Sequence, residues 1–156
     1  MIEIKNKVKI TTLGTGRFGC DDGKAQQSIL LEYNNTGIMV DCGATSVLQL
    51  KRFNIDYDRI DYVFLTHYHG DHIAGLPFMM LDLKINPDIK KRTKPLTIIG
   101  KKDVEDKIVN LCKAMNLPHE NELVNYIDLV DNGKEILRDE LPDDILKNIC
   151  LISLPP

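Results

Sequence analysis

The chain has 156 residues, 43% of them apolar and 28% charged, a balance that fits one globular domain over residues 1–156 and excludes a low-complexity or disordered chain. Its formal charge of −3 argues against broad electrostatic adhesion to nucleic acid, while leaving room for a locally basic groove. No apolar run approaches the roughly 18 to 20 residues needed to cross a bilayer, and the N-terminus lacks a signal peptide's apolar region, so the expectation is a cytoplasmic protein without a membrane partner.

In chain order, residues 8–13 read as the first strand. Gly14-Thr-Gly-Arg-Phe-Gly19 follows and fits Gly-x-Gly-x-x-Gly, but a dinucleotide-binding turn needs an amphipathic helix directly behind it. Residues 20–27 offer almost no apolar face, so that reading fails. Ser28–Tyr33 and residues 38–40 read as two strands, joined as a hairpin by Asn34-Asn-Thr-Gly37. Thr45 or Ser46 starts a helix with Val47, Leu48, Leu50 and Phe53 as its apolar residues. Residues 62–65 form the next strand, and a helix over 77–83 accepts Pro77 at its start because the missing N–H has no helical partner there.

Lys84, Lys90, Lys91, Arg92 and Lys94 make the following segment basic. With no aromatic residue interleaved for base stacking, a solvated loop is the preferred reading over a phosphate-binding one. Residues 96–99 are a strand. Asp103 caps a helix whose Val104, Ile108, Leu111, Cys112 and Met115 recur at helical spacing. His119 falls in a polar stretch and reads as a solvated loop residue; residues 123–130 and 149–154 read as strands, with a turn at Asp131-Asn-Gly133. Cys20, Cys42, Cys112 and Cys150 contain no Cys-x-x-Cys pair and read as reduced packing thiols. The sum is an α/β chain, several of whose strands are too uniformly apolar to have a wet face.

The chemistry concentrates in Thr66-His-Tyr-His-Gly-Asp-His72, where three of the chain's 4 histidines and an aspartate stand directly behind an apolar strand. A lone histidine is ordinarily a half-buried polar group, but clustering of this kind is hard to obtain from packing alone. In an extended segment the imidazoles of His67 and His69 face the same way. Asp71 and His72 follow a glycine that lets the backbone turn, and they offer an oxygen and a nitrogen to a second point nearby. Neutral imidazole and carboxylate suit borderline divalent cations, and four ligands from one bend indicate two metals.

His-x-His-x-Asp-His behind an apolar strand resembles the metal-binding motif of the metallo-β-lactamase superfamily. Val8-Lys-Ile-Thr-Thr-Leu-Gly-Thr-Gly16, Ile38-Met-Val-Asp-Cys-Gly43 and Gly75-Leu-Pro77 extend the likeness to its ribonuclease Z branch, whose members cut the 3′ trailer from transfer-RNA precursors and whose relatives include smaller phosphodiesterases. The resemblance implies a four-layer αββα sandwich with the metals held by loops at one end of its sheets. It implies a metal-dependent hydrolase with a metal-activated water, two divalent ions (zinc, or else manganese or iron), and a phosphodiester substrate such as RNA. His67, His69, Asp71 and His72 would be the ligands, with Asp71 also orienting the water.

Asp41 has two readings: a turn aspartate stabilising Cys42-Gly43, or, as the family motif implies, the acceptor of an N–H from a ligand histidine. The same ligand motif serves enzymes that open thioesters, lactones or β-lactams. The complete family site also needs a third histidine for the first ion, a bridging aspartate and a last histidine, and none follows His119 in that context. The expectation is therefore a sandwich incomplete at its C-terminus. A completing C-terminal segment or a homo-oligomer would supply the rest, unless the chain is a non-catalytic metal-binding module.

Overall fold

The structure is a computed structural model that describes residues 8–86, 92 and 94–129. A single 6-stranded sheet runs in sequence order, β1 (Lys9–Gly14), β2 (Ser28–Tyr33), β3 (Thr36–Val40), β4 (Tyr62–Phe64), β5 (Leu96–Lys101) and β6 (Val124–Leu129). The first three strands are antiparallel neighbours, and β3 to β6 are parallel. The β2–β3 hairpin turns where the sequence asked for it, with Asn34 at φ 45 and Asn35 at φ 66, a backbone region that asparagine tolerates better than most side chains. Parallel neighbours need crossovers, and these carry α1 (Ser46–Arg52), α2 (Gly70–Ile73), α3 (Leu76–Ile85) and α4 (Val104–Ala114).

Because side chains alternate along a strand, the register sorts the sheet into two faces. Leu30, Met39, Val63, Ile98 and Tyr126 share one rung. That face packs with Leu50 of α1, with Leu76, Met79, Met80 and Leu83 of α3, and with Val104, Ile108 and Cys112 of α4 in the main core. At about 1.5–3 kcal/mol for each large apolar side chain removed from water, this layer dominates the stability of the described residues. The next rung, Val40, Phe64, Ile99 and Ile127, belongs to the other face, where the second cluster contains only strand side chains among the described residues. Among the described residues, one sheet and one helical layer are thus half of the expected four-layer arrangement. The anticipated strand over 149–154 and the turn at 131–133 lie outside the described residues.

Two expectations are corrected by contacts made across the chain. Asp103 occupies the cap position of α4 at φ 64, but its side chain makes no cap bond. The Asp128 carboxylate, arriving from β6, accepts the backbone N–H groups of Asp103 and Val104 at 3.0 and 2.9 Å instead. Nor is the basic stretch simply a solvated loop. Arg92 is buried, and its guanidinium donates to the carbonyls of Tyr57, Ile60, Lys94 and Pro95. Lys94 pairs with Asp61 at 2.6 Å, while Lys90 and Lys91 lie outside the described residues. Cys42 and Cys112 are buried thiols, and burial pushes Cys42 up to about 12. No described helix is long and apolar enough to cross a membrane.

Candidate metal centre

The histidine motif begins where β4 ends, at the carboxyl edge of the parallel strands, the usual place for a site in such sheets. Leu65 still bonds to Ile99 (N to O 2.8 Å), after which the chain bends back. His69 leads into α2, and its carbonyl accepts the N–H groups of His72 and Ile73 at 2.9 and 3.2 Å. The bend docks on the end of β3, with Cys42 N donating to His72 O at 2.7 Å and Gly75 N to Cys42 O at 2.9 Å. Only glycine fits this approach: a Cβ on Gly43 would stand 2.3 Å from the Asp71 carbonyl oxygen, and one on Gly75 would stand 2.3 Å from the Gly43 oxygen.

Asp41 lies under this bend, 2% exposed and at φ 59. A left-handed aspartate is uncommon, and here the backbone twist brings its carboxylate beneath the motif. That carboxylate accepts the Thr66 N–H at 2.9 Å and the Thr66 hydroxyl at 2.9 and 3.0 Å, and it lies 2.7 Å from His72 Nδ1. The Thr66 oxygen is also 3.0 Å from His67 Nδ1. A hydroxyl has one hydrogen, and Thr66 gives it to Asp41, so towards His67 it accepts. Both His67 and His72 then carry their hydrogen on Nδ1, a tautomer assigned from the network, and keep Nε2 as a lone pair. Thr66 has no signature in the sequence beyond preceding His67. Its role emerges only when the ends of β3 and β4 are placed side by side.

The remaining geometry is close but pairwise. Ring centroids are 4.6 Å apart for His67 and His69 and 3.9 Å for His67 and His72. His72 Nε2 is 3.5 Å from Asp71 Oδ2, and two donors on one tetrahedral ion at about 2.1 Å stand roughly 3.4 Å apart. Among the described residues, however, no set of three or more His, Cys, Asp or Glu groups is gathered to hold an ion as it stands. Burial, and then the neighbouring imidazoles of His72 and His69, hold His67 below the ordinary histidine value. The neutral form is the one that ligates. Tyr68 turns away from this cluster: its hydroxyl donates to the Lys101 carbonyl, and burial pushes it up to about 12. His119 lies in the irregular segment between α4 and β6.

A mixed sheet with one helical layer, and a histidine bend at the carboxyl ends of its strands, place the chain in the metallo-β-lactamase fold. A family model described as Anti-Pycsar protein Apyc1 matches residues 8–135, and the chain belongs to that family. Among curated relatives, it is 32% identical over 128 residues to a protein named Ribonuclease Z from Lachnospira eligens, covering 81% of this chain and 40% of that one. It is 39% identical over 99 residues to a Ribonuclease Z from Nanoarchaeum equitans, covering 64% of this chain and 30% of that one. The chain thus spans about 40% of the length of its first relative. Among solved structures, YhfI of Bacillus subtilis matches with TM-score 0.63 at 22% identity, over 80% of this chain and 48% of that one. The short form of human tRNase Z matches with TM-score 0.59 at 24% identity, over 76% and 44%.

Proposed function

We propose that this chain carries the metal-binding portion of a metal-dependent phosphodiesterase or ribonuclease Z-like endonuclease. The observation that carries the reading is the network under the bend. Asp41 and Thr66 take up Nδ1 of His72 and His67, leaving both Nε2 lone pairs free to ligate, that of His72 3.5 Å from the Asp71 carboxylate. His67, His69, Asp71 and His72 would hold two divalent ions, zinc in the first place and manganese or iron otherwise, after small ring rotations. When bound, the ions supply Lewis acidity to water and neutralise charge on phosphoryl oxygens. Asp71 has two carboxylate oxygens, so one can ligate while the other accepts a hydrogen bond from the attacking water and orients it. The relatives named Ribonuclease Z support an RNA phosphodiester as substrate. Further ligands would come from a completing segment or a second copy.

A second reading has its own observation. Among the described residues no three of the donors are gathered to hold an ion, which a non-catalytic metal-binding module would allow. Zinc retention measured against a chromogenic chelator, beside a hydrolysis panel of phosphodiester, thioester, lactone and β-lactam, separates the readings. Retention with phosphodiester turnover is expected, and retention without turnover of any ester supports the module. Replacing Asp41 by Asn should weaken zinc retention by about 10- to 100-fold, because His72 loses its fixed tautomer. An unchanged affinity would remove Asp41 from the centre.

A further inference from the structure

Phe18 is 76% exposed, the highest value among the exposed large apolar side chains of the described residues. A single exposed apolar residue is ordinary, and place and rigidity are what set this one apart. Phe18 sits in the loop between β1 and β2, which is knitted together by its own backbone. Gly16 N donates to Ala25 O at 2.7 Å, Cys20 N to Arg17 O at 3.0 Å and Gly23 N to Cys20 O at 3.0 Å. The left-handed Cys20 (φ 53) and Asp22 (φ 57) tighten the turn behind it.

Gln26 fastens that loop to the turn after β3, on which the histidine bend docks. Its Nε2 donates to the Phe18 carbonyl at 2.9 Å, and its Oε1 accepts the Ala44 N–H at 2.7 Å. Its own N–H donates to Thr45 Oγ1 at 2.9 Å. Gly43, next along, lies so near that a Cβ there would stand 2.7 Å from Gln26 Cβ and 2.3 Å from the Asp71 oxygen. One side chain and one glycine therefore separate the Phe18 backbone from Asp71. Arg17 beside it keeps a largely exposed side chain, although it pairs with Asp21 at 3.0 Å.

We propose that Phe18 is a stacking platform for a nucleobase of the substrate, so that the site prefers base-bearing phosphodiesters to base-free ones. The inference rests on the phosphodiester reading above. An exposed aromatic ring held on an ordered loop gains most by covering itself with a flat partner, and a nucleobase attached to a phosphate at the bend has the right chemistry. Stacking acts through the π-face, so it sorts base from no base and not one base from another.

The chain has no tryptophan, which makes Phe18→Trp a single-tryptophan reporter in the metal-loaded 156-residue chain. Titration with the dinucleotide ApA should quench its fluorescence, and an abasic ribose phosphodiester of equal charge should not. Phe18→Ala should bind ApA roughly 5- to 100-fold more weakly while keeping its affinity for the abasic diester. Unchanged far-UV circular dichroism is expected for both variants, since Phe18 packs on nothing in the core. If Phe18→Ala holds ApA as tightly as the unaltered chain, the stacking role is overturned while the phosphodiester reading stands. If the unaltered chain holds neither ligand, the phosphodiester reading itself is overturned and the stacking role goes with it.

Discussion

Thr66 shows how much of a site can rest on one hydroxyl. It bridges a buried carboxylate to two imidazoles, touching Asp41, His67 Nδ1 and, at 3.4 Å, His72 Nδ1. Replacing it by valine keeps the branched shape but removes the hydroxyl hydrogen that the Asp41 carboxylate receives, and leaves His67 Nδ1 facing a methyl group. A partly buried polar group that loses its partner costs about 1–3 kcal/mol, so Thr66→Val should lower the urea midpoint accordingly without changing the m-value. A midpoint equal to that of the unaltered chain would show that water replaces the hydroxyl at no cost. The four metal-ligand candidates were legible because histidine is scarce and here clustered. Thr66 and Gln26 were not, since threonine and glutamine are common and their partners Asp41 and Phe18 come from other strands and loops.

At the scale of elements, the sequence signals worked where burial is periodic and weakened where a contact comes from far along the chain. The strand Ser28–Tyr33 was legible to the residue, because an apolar run there ends in the turn residues Asn34-Asn-Thr-Gly37. Helix α2 was not, since its 4 residues are too few for any period to register. Asp128 capping α4 and Arg92 gathering four carbonyls are likewise long-range contacts that no window of sequence contains. The same is true of the clamp between β2 and the turn before β4. Glu32 accepts from Arg59 Nε at 2.9 Å and Nη2 at 2.6 Å, and Lys9 stands 3.2 Å away. Burial pulls the Glu32 carboxyl up, but its hydrogen bonds to Arg59 and Lys9 and their charges more than offset this, so it titrates below 4.5. Its folded value is depressed, so its contribution is complete above the unfolded value and is lost as pH falls from 4.5 through the folded value. Glu32→Gln should therefore cost about 1 kcal/mol near pH 7, given the partial exposure of Arg59, and should flatten the acid limb of a stability profile below about pH 4.5. Parallel acid limbs for the two proteins would assign that limb to other carboxylates.

For the whole molecule, the two faces of the sheet pose unequal problems. One is covered by α1, α3 and α4, and its side chains reach the burial of a finished core. On the other, Ile38, Tyr62, Phe64, Ile127 and Leu129 are only partly buried around Ile99. A sheet face of this composition packs about 10 Å from a second apolar layer in sandwich folds, and each large side chain covered is worth about 1.5–3 kcal/mol. The drive to cover it is therefore comparable to the stability of a small domain. A second copy of the chain offers the same surface related by a twofold axis, the commonest way in which an apolar face closes. The 156-residue chain is accordingly expected to self-associate, with a sedimentation coefficient that rises with concentration. Ile127→Lys places a charge on that face, on β6, the outermost strand among the described residues, where the lysine stem can still reach water when the chain is alone. It should shift the chain to monomer while leaving the helical layer intact, because Ile127 does not belong to the main core. Concentration-independent sedimentation of the unaltered chain as a monomer would mean that the face is closed from within the chain itself.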